Sequence, residues 1–208
     1  MKYSLVLIIL FLTNAIYCQS PKDTAFIFRK NDSTGYQAIF IENPNSLYHK
    51  VVFDLLLADK TTYYDKLLIL DSLGKHKKQE SNFNNLGEWI SIYTYKGKKY
   101  GYFPSEPFFN LLIIVTDSTV TINNFNDGLT PFAIKKMSVK SNKYIYKLIN
   151  PEKKIIDLTF ILKRNNIVII KSEILNKRKL MLIKKESFFN LPIIVNHCPG
   201  YRCGEFQF

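Results

Sequence analysis

From residue 87 onward, hydrophobic and polar positions alternate in short runs cut by polar turns at regular intervals. The turns are KGKK (96–99), TDST (116–119), NNFNDG (123–128), KSNK (140–143), NPEKK (150–154), KRNN (163–166) and LNKRK (175–179). The runs between them are rich in Ile, Val, Tyr and Phe. One shows its period plainly: Ile156, Leu158, Phe160 and Leu162 alternate with Ile155, Asp157, Thr159 and Ile161. Period two with one drier face marks half-buried strands. Strands joined consecutively by tight turns make an antiparallel meander, and eight or nine of them close into a barrel or fold into a sandwich. The expected class is mainly β with a small α part, a barrel favoured over a sandwich, across residues 86–208.

Residues 19–85 read as an N-terminal extension packing on that domain. TAFIFRKN (24–31) and GYQAIFIEN (35–43) predict a hairpin, which Pro44 and Asn45 end. Thr62 with Asp65 resembles a capping box, and Tyr63, Leu67 and Leu70 recur at helical spacing until Gly74, which predicts a helix over 62–73. Residues 46–58 fit helix or strand equally, and KHKKQESNFNN (75–85) is a polar bridge. The phrase FFNLLIIV (108–115) returns as FFNLPIIV (188–195). The flanking residues do not align, so both copies read as loop-to-strand transitions whose Phe pairs plug one end of the core. Pro192 cannot donate to a ladder, which suits an edge or a strand start.

The opening MKYSLVLIILFLTNAIYC (1–18) has the layout of a signal peptide: Lys2, then an apolar run over 5–12. That run is too short to anchor in a bilayer, which takes ~20 residues. Cleavage after Cys18 leaves a periplasmic or secreted protein. Bulky Tyr17 sits where acylation signals want a small residue, so lipid on Cys18 is not expected. No second long apolar segment follows, so no transmembrane anchor is expected. A formal charge of +12 favours anionic partners such as nucleic acid or anionic glycans. The lysines are scattered among Asn and Ile, however, and a solvated surface is the simpler reading. Nucleic acid is not expected as a partner, and the oligomeric state stays open.

The densest candidate chemistry is GEWISIYTYKGKKYGYF (87–103). A Gly97–Lys98 loop predicts a type II′ hairpin that pairs Lys96 with Lys99, Tyr95 with Tyr100 and Tyr93 with Tyr102. Alternation then places Trp89, Tyr93, Tyr95, Tyr100 and Tyr102 on one face and Ile90, Ile92 and Phe103 on the other. Five aromatics in a row form a platform for a glycan or an apolar ligand; as core, they would be ordinary cross-strand pairs. Gly87-Glu88-Trp89, opening the first strand of the meander, resembles the G-x-W signature of lipocalin-like barrels over at most residues 87–185. The resemblance implies a Trp that closes one end of a barrel whose interior holds a small apolar ligand. The long N-terminal segment departs from that family. The chain also resembles exported proteins of Gram-negative bacteria, a likeness that brings no function with it.

Enzyme signatures are scarce. The histidines are His49, His76 and His197. Asp117-Ser118 is a turn without the glycines of a nucleophile elbow. There is no phosphate-cradling loop and no H-E-x-x-H. No cofactor or metal is expected. Cys198 and Cys203, around Pro199-Gly200, read as a disulfide in an exported chain. A metal site from His197, Cys198, Cys203 and Glu205 lacks a second cysteine pair, and a redox pair is more often C-x-x-C. Non-catalytic binding of a small apolar or glycan ligand is therefore favoured. The alternatives are a protein–protein inhibitor or envelope component, which would show an exposed apolar patch, and a hydrolase built on paired carboxylates.

Overall fold

The computed structural model describes residues 25–32, 35–57, 61–72, 87–105, 110–123, 128–175, 179–199 and 203–208. The leader, Cys18, the polar bridge with His76, and the first copy's Phe108 and Phe109 lie outside them. The chain runs through β1 (Ala25–Asp32), β2 (Gly35–Glu42), α1 (Leu47–Leu57), α2 (Thr61–Ser72), β3 (Gly87–Tyr95), β4 (Lys98–Phe103), β5 (Leu112–Val115) and β6 (Thr119–Asn123). It continues through β7 (Leu129–Lys140), β8 (Lys143–Ile149), β9 (Ile155–Leu162), β10 (Ile167–Ser172), β11 (Lys179–Lys184), α3 (Lys185–Phe188) and β12 (Ile193–His197).

The meander closes. Strands β5 to β11 pair in chain order, and β3 seals the ring by pairing with β5 on one side and β11 on the other. The result is a closed eight-stranded antiparallel barrel. Its inward positions follow the period of two: Trp89, Ile113, Ile122, Phe132, Tyr146, Leu148, Leu158, Phe160, Val168, Ile170 and Leu182 form one buried cluster. Each residue that alternates inward removes apolar surface from water at about 25 cal/mol per Å². Ile156 and Leu162 pack against the same cluster while Ile155 is exposed, as the run over 155–162 predicts.

Only the first half of β3 serves the barrel. Its last residues, 93–95, diverge and pair with β4, which opens a second row of strands in the order β3–β4–β12–β2–β1. The N-terminal hairpin forms as expected and joins this flank through β2 and β12. The β12–β4 pair is parallel, an exception to the antiparallel rule elsewhere. On one face of the flank, α1 and α3 bury Val52, Leu56 and Phe188 against Ile90, Ile92, Ile193 and Val195. No Cβ fits at Gly101 on that face, because the Phe188 ring would stand 2.8 Å from it.

Three sequence expectations need correction. The β3–β4 turn is Lys96–Gly97, not Gly97–Lys98, so Tyr93 faces Tyr100 and Tyr95 faces Lys98. Both turn residues have positive φ (46° and 77°), the geometry of a type I′ turn, in which Gly takes the second position. The two-residue shift preserves which side each side chain faces. The second FFNL phrase leads into an interior strand, not an edge, since β12 lies between β4 and β2. Pro192 is tolerated because it precedes the strand; its carbonyl accepts from Gly101 N–H at 2.9 Å. Finally, Phe188 is buried but Phe189 only half so, and this pair comes from a helical turn. The expected helix over 62–73 is α2, and the ambiguous 46–58 is α1.

Candidate functional site

The barrel has two unlike ends. At one, Trp89 stands opposite Lys184, the last residue of β11, with its indole buried and the Lys184 ammonium 5.6 Å above the ring. At the other, marked by the β8–β9 turn, the interior opens into a cleft of about 310 Å³. Its floor is apolar: Ile122 and Phe132 from the barrel wall, with Ile156 and Ile174. Its rim is polar: Lys66, Thr130, Asn150 and Glu152. Lys66 comes from α2, which lies along β7, and donates to Thr130 Oγ1 at 2.9 Å. The Asn150 side chain accepts from the Lys154 N–H at 2.7 Å, which fixes the turn that presents Glu152. A space of this size suits a small molecule with one apolar face and a polar edge.

The predicted aromatic platform divides. Trp89 is inside the barrel, whereas Tyr93, Tyr95, Tyr100 and Tyr102 gather on the flank face that the helices leave open. That face is covered by the chain's own tail, 203–208. Phe208 stacks on Tyr93 at 4.3 Å and meets Tyr102 edge-on at 4.9 Å, while Phe206 meets Tyr95 at 5.2 Å. Beneath the rings lies a polar network. The Tyr102 hydroxyl donates to the Glu205 carboxylate and accepts from the Phe206 N–H at 3.0 Å. Ser105 Oγ donates to the other Glu205 oxygen. Asn196 Nδ2 reaches Glu205 at 3.3 Å and the Gly204 carbonyl at 3.1 Å. Gln37 Nε2, from β2, donates at 2.9 Å to both Asn196 Oδ1 and the Gly204 carbonyl. Burial pushes the Tyr102 phenol up, and its bond to Glu205 pushes it further. Burial also pushes Tyr93 up to about 12.

Cys198 and Cys203 are bonded to each other, their Cα atoms 6.1 Å apart, within the usual disulfide range. Their sulfurs are thus unavailable as thiolate ligands, and no group of three His, Cys, Asp or Glu converges among the described residues. His197 is exposed at the end of β12, with its ring 6.1 Å from Tyr36. His49 is fully buried in α1. Its Nε2 lies 2.7 Å from the Leu191 carbonyl and its Nδ1 3.2 Å from Ser46 Oγ. A carbonyl only accepts, so Nε2 carries the proton and Nδ1 accepts from the Ser46 hydroxyl. Burial lowers the His49 pKa, against the opposing effect of its backbone hydrogen bonds. The residue pins α1 to the second FFNL phrase. Asp117 and Ser118 are in the β5–β6 turn, where Thr116 Oγ1 accepts from the Thr119 N–H at 2.9 Å.

Sequence reasoning missed the cleft rim and the tail. The rim residues come from α2, β7 and the β8–β9 turn, and no spacing joins them. The tail did carry a signal: Phe206 and Phe208 alternate around Gln207, a few residues after the second cysteine.

The fold thus defines a closed eight-stranded antiparallel barrel with a four-stranded flank. Neither a family model nor a curated protein nor a solved structure matches the chain.

Proposed function

We propose that the protein is an exported, lipocalin-like binding protein that holds a small ligand at the barrel mouth and makes or breaks no bond. The observation that carries this reading is the cleft, where interior apolar side chains end beneath a polar rim. The ligand class is an amphipathic molecule about the size of a monosaccharide. Its apolar face would lie on Phe132 and Ile156, and its polar edge would meet Lys66, Asn150 and Glu152. Among the lining residues Glu152 is the one carboxylate, which gives no support to a paired-carboxylate hydrolase. The leader supports export.

Amide-proton NMR with a panel of monosaccharides and short-chain fatty acids tests the reading. The expected amide shifts are confined to 66, 122, 130, 132, 150, 152–156 and 174, and they vanish in Thr130→Trp, which fills the cleft. Shifts that cluster elsewhere, or turnover of any panel member, would sink it.

A second reading rests on α2, whose Tyr64 (60% exposed), Leu68 (66%) and Ile69 (46%) form an apolar stripe facing solvent. It fits the protein–protein class. Retention of a partner by the wild type and its loss in Tyr64→Ser/Leu68→Ser would favour it.

A further inference from the structure

The positive charge of this protein is concentrated. Residues 129–184 hold fourteen Lys and Arg against three Asp and Glu, a net +11 of the chain's +12. These residues build β7 to β11, one continuous side of the barrel wall. Their inward positions are apolar, with Tyr146, Leu148, Phe160, Ile170 and Leu182 buried. The positions between them therefore project outward; those at the start of β7 and Ile183 on β11 are buried, and the remainder carry the exposed lysines.

The strand register then sets lysine against lysine. Lys136 faces Lys147, Lys140 faces Lys143, and Lys171 faces Lys179. All six are exposed. Lys147 has a carboxylate partner, Asp157, at 3.2 Å, and the other five make no ion pair among the described residues. Like charges directly opposite on neighbouring strands destabilise a sheet. Three such pairs on one wall, with one countering carboxylate, do nothing for the fold. A wall of this kind is complementary to a polyanion.

We propose that the exposed part of this outer wall, from Lys136 on β7 across β8 to Lys171 and Lys179 on β10 and β11, is a docking face for an anionic polysaccharide. This goes beyond the mouth cleft and does not depend on it. Two features of the wall select this partner over other polyanions. First, the charges are spaced. Lys136 and Lys140, like Lys143 and Lys147, are four residues apart on one strand, roughly 13 Å at the usual rise. Ser138 and Ile145 lie between them, and uncharged Thr159 and Ile161 sit alongside on β9. A polymer whose charges are separated by neutral rings matches that interval better than a nucleic-acid strand, with a phosphate about every 3.4 Å along the duplex axis. Second, no aromatic side chain projects from this wall among the described residues. Single-stranded nucleic acid would want rings to stack on, and an interfacial membrane protein would want them to insert.

The test uses the full chain and measures binding to hyaluronan, in which charged and neutral rings alternate, across a salt series, with heparin as the densely charged comparison. Duplex DNA, single-stranded DNA and phosphatidylglycerol vesicles are run in parallel. A face variant, K136Q/K140Q/K143Q/K147Q, is compared with K30Q/K50Q/K96Q/K98Q, which removes as many charges from elsewhere. The expected result is glycan binding that weakens with salt, kept by the control and reduced roughly tenfold or more in the face variant, with a shallower salt slope. If the face variant fails to fold, K171Q/K179Q supplies the same readout from the third pair. Equal loss in face and control variants would show binding by net charge alone and overturn the proposal. Absence of glycan binding, or tighter binding of DNA or vesicles, would overturn it as well.

Discussion

In the barrel every strand has a neighbour on both sides, because the start of β3 closes against β5. In the flank the row of strands stops at β1, whose outer edge is unpaired among the described strands. The barrel pairs strands that follow one another in the chain and fills its centre with apolar side chains. The flank draws on residues 35–42, 98–103 and 193–197, and it is held by a helix layer on one face and a tail with a buried polar network on the other. Its edge is managed by other means: a bulge between Phe26 and Phe28, and charged Arg29 and Lys30. Closure makes the barrel self-sufficient, whereas the flank depends on every piece arriving. The expectation is a stable barrel carrying a looser annex, and four perturbations test that difference.

The largest effect is expected from Phe160→Ala, which empties a fully buried site packed against Tyr146 at 5.6 Å. A loss of about 3–5 kcal/mol in urea unfolding should fall on barrel and flank together. If the flank unfolds separately, the two are less coupled than their shared strand β3 implies. Gly101→Val comes next. It drives methyl groups into the Phe188 ring, and overpacking of this kind costs about 1–3 kcal/mol. Hydrogen exchange should accelerate in β2, β4 and β12 and stay slow in β7 to β10. Uniform acceleration would erase the distinction between barrel and annex.

Cys198→Ser with Cys203→Ser should cost about 2 kcal/mol, by chain entropy for so short a loop. Barrel protection is expected to persist while residues 203–208 become sensitive to protease. The mildest perturbation is pH. His49 titrates near 6.5 in the unfolded chain and lower in the fold, because burial disfavours its charged form. As pH falls past 6.5 the unfolded chain takes up this proton first, so stability declines with acid. His49→Gln should flatten that part of the profile of stability against pH, and an unchanged slope would assign the acid sensitivity elsewhere.

The barrel was legible and the flank largely was not, for physical reasons. Inward alternation such as Leu158–Phe160–Leu162 is a local signal, and tight turns join neighbours in order. That count of strands fitted a barrel or a sandwich, and the pairing of β3 with both β5 and β11 is what closes the ring. The β12 position has no local signature: Ile193, Ile194 and Val195 are all buried because both faces of the flank are covered, so the period of two disappears. α1 was ambiguous for a similar reason, since apolar residues surround its buried face of His49, Val52 and Leu56. For the tyrosines, the side they face was readable from alternation, but what covers them was not. Phe206 and Phe208 arrive from about a hundred residues away, and no periodicity reports such a meeting.

The insertion of β12 between β4 and β2 also imposes an order of events during synthesis. A ribosome releases β2 and β4 long before the strand that must lie between them. The meander from β5 to β11 assembles from neighbours as they emerge, but the N-terminal hairpin has no berth until residues 193–197 appear. Until then two strand edges stand open, and these are the edges another chain can capture. Chains truncated after residue 192 should therefore keep a protease-resistant barrel, lose the hairpin to digestion, and associate through the uncovered edges. Strand β12 acts as a keystone, and the nascent protein is most vulnerable just before it arrives.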